Sequence, residues 1–308
     1  MYIHRNHEKQ MIRRNVAKKP VVSSQNKVTI SPPVVSNGTP VDKVALCCMA
    51  KMENLYLREW VEYHLNLGFD HIYIYDNNDP EGEKCETPIT DYVQNKKVTV
   101  IDYRGKKQTS CQIQVSAYQD CYNKNSNLYK WIMFLDVDEF LVLKNAKTVK
   151  EYLSLSVFDN INIIRINWLC YSDGGHLEYE GKPVRERFTV PCKNNDVNKY
   201  YKSFVRTGIK GLKITNVHYT SDPNKGKKTL SLNNGKVIQY SASVTLPVVN
   251  HDWAYIAHYV TKSTEEFVNI KRKRRGNGSS KNRLSINFYW RYNERTPEKE
   301  QMLKKLFK

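Results

Sequence analysis

Four short apolar segments constrain this chain more than any other feature: "KVALCCMA" (43–50), "HIYIYD" (71–76), "KVTVIDY" (97–103) and "WIMFLDVDEFLVL" (131–143). Each reads as a strand, and the last is apolar on both faces in its first half. Between them lie stretches with helical spacing. Leu57, Trp60, Val61, His64 and Leu65 form one stripe, with Gly68 as its stop; Ile113, Ala117 and Cys121 mark another within 111–124. "ITDYVQNK" supplies a short helix between the second and third strands. Apolar strands alternating with helices predict an α/β fold, a mostly parallel central sheet flanked by helices. "NIIRINWLCY" (162–171) adds a further strand, and the pattern is less regular beyond Asp173. The pattern divides the chain into a basic tail at 1–42, a folded α/β domain at 43–270 and a basic C-terminal extension at 271–308. Within the domain, 43–143 has the connections of a nucleotide-binding α/β half, and 144–270 packs as a second half on the same sheet.

The 308 residues are 40% hydrophobic and 11% aromatic, enough for a core and too apolar for a disordered chain. Lys and Arg number 49 against 31 Asp and Glu, a net charge of +18. Most of that excess lies at the ends. Residues 1–43 hold eight basic and two acidic side chains, and residues 262–308 hold fourteen and five. The centre is nearly neutral, so the charge argues against a nucleic-acid-binding face. It suits solubility or docking on an anionic membrane surface instead. Seven cysteines without C-x-x-C or zinc spacing read as buried thiols of a reducing compartment. No apolar stretch nears the roughly 18 residues of a membrane span, and the polar N-terminus lacks a signal-peptide core. The expectation is a cytoplasmic protein, with basic ends suited to the cytoplasmic face of a membrane.

The chemistry centres on "FLDVDEF". Residues two apart on a strand point the same way, so Asp136 and Asp138 are expected on one face, at the carboxyl end of a buried strand. Two such carboxylates need a cation, and Mg²⁺ or Mn²⁺ would pair them and still accept a diphosphate. Asp76 ends the second strand, where an acid can bond a ribose or a base edge. No G-x-G-x-x-G or G-x-x-x-x-G-K-[ST] is present, which removes the main support for dinucleotide oxidoreductases and P-loop NTPases.

With these residues in place the chain resembles glycosyltransferase family 92 and the related family-2-like enzymes of the GT-A fold. The resemblance rests on "AKMENLYLREWVEYHLNLGFDHIYIYDNND", then "WIMFLDVDEF", "WLCYSDGGH", "RERF", "YYKSFVR" and "HYVTKSTEEF", in that order over 43–275. It implies a UDP-sugar donor whose diphosphate is bridged by Mn²⁺ or Mg²⁺ on Asp136 and Asp138. It also implies nucleotide contacts from Asp76 and Glu53, with Arg104 and Gln114 lining the same pocket. His258 is the expected further metal ligand, with His218 as the alternative, and Lys262 suits a diphosphate. Lys202 and Arg206 are further phosphate or acceptor candidates. The family turn is usually K-N-E, whereas Met52 precedes Glu53 here.

The resulting expectation is a metal-dependent hexosyltransferase, inverting, that moves a sugar to a glycan or lipid-linked acceptor, with galactose as one candidate. Asp173, in "YSDGGH", is the first candidate for the base that deprotonates the acceptor; Glu139, Glu180 and Glu186 are alternatives. A nucleic-acid-binding protein acting through its basic ends and a sugar nucleotidyltransferase are the competing readings. The second normally has a Gly-rich loop near the first strand, and "CCMAKMEN" has no Gly.

Overall fold

The computed structural model describes residues 43–106, 110–221, 223, 227–274 and 284–306. The tail read at 1–42 and residues 275–283 of the basic C-terminal run lie outside them. Strands β1 (Val44–Ala50), β2 (His71–Asp76), β3 (Val98–Asp102) and β4 (Trp131–Phe134) are parallel and adjacent in the order β3-β2-β1-β4. Helices α1 (Asn54–Asn66), α2 (Thr90–Gln94) and α3 (Ser110–Asn125) fall between them, as the spacing predicts. The period of two sorts β1 between two apolar clusters. Val44, Leu46, Cys48 and Ala50 pack with Leu57 and Trp60 of α1, whereas Ala45 and Cys47 pack with Ile113, Ala117 and Cys121 of α3. Both faces are covered, which is why the strand shows no polar alternation. Cys47, Cys48, Cys85, Cys121, Cys170 and Cys192 are buried and unbridged.

The run 131–143, expected to be one strand, forms two. β4 stops at Phe134 and β5 begins afresh at Glu139 (Glu139–Leu143). After α4 (Val149–Leu153) come β6 (Ile163–Cys170), the single turn α5 (Val184–Arg187) and β7 (Tyr201–Arg206). A small separate sheet pairs β8 (Lys213–Ile214) with β9 (Thr220–Ser221); β10 (Leu230–Leu232) and β11 (Ala254–His258) follow. The large sheet has nine strands, ordered β3-β2-β1-β4-β7-β6-β11-β5 with β10 also on β6. β7 runs antiparallel to both of its neighbours, and β5 antiparallel to β11.

This order forces the sheet to curl. β4 and β5 are four strand spacings apart, about 19 Å in a flat sheet. The residues joining them are closed by a turn, Glu139 N–H donating to the Asp136 carbonyl at 3.0 Å. Such a link reaches only about 14 Å. The D-V-D segment therefore sits where the curled sheet comes back on itself.

β5 is the last strand of the order, and α1 supplies the partners its outer edge would lack. Trp60 Nε1 donates to the Glu139 carbonyl (2.8 Å), Tyr63 Oη to the Leu141 carbonyl (2.7 Å), and the Leu141 N–H to His64 Nε2 (3.3 Å). His64 Nδ1 lies 2.8 Å from the Trp60 carbonyl, so the proton belongs on Nδ1 and Nε2 is free to accept. Among the described residues no helix is long and apolar enough to cross a membrane.

The C-terminal residues pack on the domain before them. α6 (Thr264–Glu266) runs into a π-helical turn (Phe267–Lys271) and α7 (Arg272–Arg274); α8 (Ile286–Tyr289) and α9 (Pro297–Leu306) close the chain. Phe267, Val268, Leu284, Tyr289 and Leu303 form one apolar cluster, which joins the described part of the extension to the domain.

Burial pulls the His64 imidazole down to about 3, so it stays neutral in the fold. Below its ordinary range near 6.5 the unfolded chain takes up a proton that the fold refuses. His64 thus contributes stability that is complete above about pH 6.5 and lost as pH falls towards 3. Urea midpoints should fall with acidification over that window, and His64→Gln should lower the midpoint at pH 7 while flattening the slope. An unchanged slope would show that His64 is not the titrating group.

Candidate functional site

Asp136 and Asp138 do not share a strand face, as had been expected; they share a turn. Strand pairing ends two residues before Asp136, because β4 follows β1 only as far as Phe134 opposite Cys47 and β5 pairs with β11 elsewhere. Leu135 and Val137 are buried and anchor the turn from beneath. Glu139 closes it, its Oε2 accepting from the Asp136 N–H at 2.9 Å. Three carboxylates are thereby crowded within four residues.

Their principal counter-charge comes from the antiparallel strand β7. Lys202 Nζ lies 3.1 Å from Asp136 Oδ2 and 3.4 Å from Glu139 Oε2, with its side chain fully buried. Gln114 of α3 donates to Asp136 Oδ1 at 2.6 Å, and Tyr118 Oη lies 3.3 Å from the same oxygen. Burial works against the Asp136 carboxylate, but Lys202 outweighs it and holds the group below its usual range. Glu139 goes the other way: burial raises it to about 8, with Lys202 opposing. Burial penalises the Lys202 ammonium too, yet Asp136 and Glu139 raise it overall.

Asp138 is answered from the C-terminal part of the domain. His258, the last residue of β11, places Nε2 3.6 Å from Asp138 Oδ1 and Nδ1 3.9 Å from Glu139 Oε1. Lys271, in the π-helical turn, pairs with Asp138 Oδ2. Burial opposes the charge on Asp138; Lys271 and His258 overcome it and hold the carboxyl well below its usual range. Lys262 stands in the loop after β11 with φ of 55°, a left-handed conformation rare for a side chain of its size. Burial draws its ammonium down to about 8, with Asp138 opposing. Its Nζ lies 4.2 Å from the centroid of the Tyr56 ring.

Gln114, Asp136, Asp138, His258 and Lys262 are thus brought together, and Lys202, weighed as a phosphate or acceptor contact, lies at the centre of the group. Lys271 was missed, since its place in "KRKRR" made it read as part of a solvated basic run. His218 is bonded through Nδ1 to the Tyr201 carbonyl (3.0 Å) and packs on Trp168, whose ring also meets His258. Arg206 is removed from the group: it bonds the carbonyls of Phe158 and Ile161 and lies over Trp131.

Asp76, Arg104 and Glu53 lie at the carboxyl ends of β1 to β3. Asp76 Oδ1 accepts from the Asn78 N–H and side chain (3.0 and 2.8 Å), and Oδ2 from the Cys85 N–H (3.0 Å). Arg104 Nη2 donates to the carbonyls of Asp79 (2.9 Å) and Gly82 (3.0 Å), and Nη1 is 4.0 Å from Asp76. Both side chains therefore hold the 77–85 loop. Glu53 is buried at the N-cap position of α1, beside Met52, whose N–H donates to Asn78 Oδ1 (2.8 Å). Met52 has φ of 54°. Asn tolerates that region and a long side chain does not, so the Asn expected there has a conformational reason.

Asp173, the expected base, is placed differently. It is buried in the loop after β6, its Oδ1 bonded to Lys299 Nζ (2.7 Å) and the Gly175 N–H (2.9 Å), its Oδ2 to Tyr289 Oη. Its own N–H donates to Asn293 Oδ1 at 2.6 Å. The Gly175 contact closes the "SDGG" turn, and the other three tie it to the C-terminal segment. Glu180 is paired with His176 at the surface, and Glu186 is exposed.

No group of three or more His, Cys, Asp and Glu is placed to hold a metal ion among the described residues. What the site offers is one carboxylate–imidazole pair, Asp138 with His258, flanked by buried His258 Nδ1 and Glu139 Oε1 that lack hydrogen-bond partners. A hard oxygen and an imidazole 3.6 Å apart suit a divalent ion that completes its shell with substrate oxygens.

The sequence profile of glycosyltransferase family 92 matches residues 43–296. The chain belongs to glycosyltransferase family 92. Among relatives of this family 92 chain, a family 92 protein of Oryza sativa subsp. japonica is 24% identical over 196 residues, 63% of this chain and 32% of that one. The β-1,4-galactosyltransferase galt-1 of Caenorhabditis elegans is 28% identical over 120 residues, 36% of this chain and 28% of that one. The chain spans about a third of the length of the curated relatives it matches. The crystal structure of S. aureus TarS 1–349 in complex with UDP-GlcNAc is 10% identical with a TM-score of 0.39, covering 86% of this chain and 71% of that one. The fold of the family 92 chain is the mixed α/β arrangement expected of it, a curled and mostly parallel sheet flanked by helices.

Two outcomes follow from this geometry. Lys202→Met strips Asp136 and Glu139 of their shared cation and should destabilise the protein by about 3–5 kcal/mol in urea titrations; a loss under about 1 kcal/mol would mean that water reaches the pair. Met52→Asn should stabilise by about 1 kcal/mol, since it relieves the left-handed strain without removing a buried group.

Proposed function

We propose that this chain is a glycosyltransferase that moves a sugar from a UDP-sugar to a carbohydrate acceptor. The observation that carries this reading is the convergence of Asp136, Asp138, His258 and Lys262 outside the carboxyl ends of the parallel strands, within the span matched to family 92. The galactosyltransferase name of the Caenorhabditis elegans relative supports galactose as the donor sugar.

Breaking a sugar–phosphate bond leaves a diphosphate whose new charge must be met. Asp138 and His258 would hold Mn²⁺ or Mg²⁺, and the ion would supply positive charge to the diphosphate. Lys262 and Lys271 flank the same carboxylate, and either ammonium is suited to pair with a departing phosphate oxygen. Lys202, itself buried, holds Asp136 ionised at the solvent-facing side of the turn. Asp76 and Arg104 shape the 77–85 loop at the edge where a uridine would lie. Inversion is the course the resemblance implies. Because both Asp173 oxygens are taken up by Lys299, Gly175 and Tyr289, the reading gives Asp173 a framework role and leaves the base unassigned.

Calorimetric titration of UDP with Mn²⁺ present tests this directly. Removing the metal with EDTA, or introducing Asp138→Ala, should weaken binding by about tenfold or more. Affinity that survives both changes would show that no metal joins UDP to Asp138. UDP release over a panel of nucleotide sugars with Mn²⁺ then identifies the donor, and silence across the panel would sink the transferase reading.

A further inference from the structure

Beyond the carboxylate cluster, the C-terminal segment encloses a second recess against the "SDGG" turn. Its volume is about 370 Å³, within the range of small-molecule sites. Trp290 forms one wall; Asp173, Gly175, Asn194 and Asn293 contribute others. We propose that this recess is an acceptor subsite that binds a pyranose ring of the sugar chain to be extended. The inference rests on the transferase reading and adds to it where the acceptor lies.

The position supports it first. Glu139, His258 and Cys170 are paired across three adjacent strands, so about 10 Å separates the turn of the D-V-D cluster from the end of β6. Asp173 follows Cys170 by three residues, and the Tyr171 N–H still donates to the His258 carbonyl (3.0 Å). The recess thus opens at the carboxyl end of a strand in the same sheet, one strand from the histidine beside Asp138. The loop after β11 joins the two sites. Lys262 places its Nζ over the Tyr56 ring, whereas Thr261 accepts from Asn293 Nδ2 (3.0 Å) and Thr264 meets Tyr289 Oη (2.8 Å) on the recess side.

The chemistry of the walls supports it next. A sugar ring shows apolar C–H faces and a rim of hydroxyls, so it needs a flat apolar surface ringed by donors and acceptors. Trp290 is half-buried and held in place by the edge of Tyr289 (5.0 Å between centroids) and by Arg295, 5.3 Å from its ring. Around it stand the Lys193–Glu294 ion pair and the exposed Asn194 amide, whose Nδ2 donates to the Arg291 carbonyl (3.2 Å) and whose Oδ1 accepts from the Asp196 N–H (3.1 Å), each atom keeping one further hydrogen or lone pair for the rim. The floor is Gly175 at φ of 93°, where an added Cβ would meet nothing within 4 Å. Space above that backbone is open. The buried network of Asp173, Lys299, Tyr289 and Asn293 fixes floor and wall relative to each other before any ligand arrives.

Saturation-transfer NMR on the intact chain tests the proposal with four probes, the methyl β-glycosides of galactose, glucose, mannose and N-acetylglucosamine. At least one should receive saturation in its ring C–H protons, and Trp290→Ala should cut that signal at least fivefold, with Trp290→Phe restoring part of it. Asn194→Ala, at the exposed rim, is the second variant and should weaken the same probe. UDP affinity measured on each variant reports that the fold is intact and separates the two readings. If UDP binds and no probe does, or if Trp290→Ala leaves the signal unchanged, the subsite is overturned while the donor reading stands. If UDP itself fails to bind, the donor reading fails.

Discussion

Three carboxylates in one turn set the terms for the rest of the domain. Asp136, Asp138 and Glu139 lie within four residues, and two of them are at most 1% exposed. Such a cluster persists in a folded interior only if cations are carried to it on rigid elements. β7 carries Lys202, and its antiparallel insertion between β4 and β6 brings that ammonium to the turn. β11 and the π-helical turn carry His258 and Lys271 from the opposite side. The three acids are also held unequally: Asp136 and Asp138 are kept ionised, while Glu139 is pushed towards its neutral form.

Much of the first half was legible in the sequence because its elements are decided locally. The stripe Leu57, Trp60, Val61 and His64 gave α1, and both-faced burial of β1 was plain in "KVALCC". The break within 131–143 was not legible. An apolar run with two aspartates fits a strand as well as a turn, and the decision rests with pairing partners more than a hundred residues away, such as Ala257 opposite Phe140. The site divides along the same line. Asp136 and Asp138 were marked by their motif, and His258 and Lys262 by the family resemblance. Lys271 was hidden within a basic run, and the role of Lys202 could be weighed but not decided.

Asp173 shows the limit most clearly. "SDGGH" signals a turn at the end of a strand, and the D-G-G pattern by itself favours a turn former over a base. What decides its surroundings is Lys299, 126 positions later. Nothing in the local pattern announces that contact. The same distance explains why the C-terminal segment read as a solvated extension, although Tyr289, Asn293 and Leu303 face the domain once the chain is folded.

The side chains of α1 along β5 carry one more consequence, for self-association. An outer strand attracts other chains because its amides and carbonyls can template a further strand. Along β5 the Glu139 and Leu141 groups are already matched by an indole, a phenol and an imidazole. A foreign strand would have to displace a helix before it could bond to Glu139 or Leu141. The central stretch of this edge is shielded from strand addition by α1, and Trp60 does so at the residue that closes the carboxylate turn.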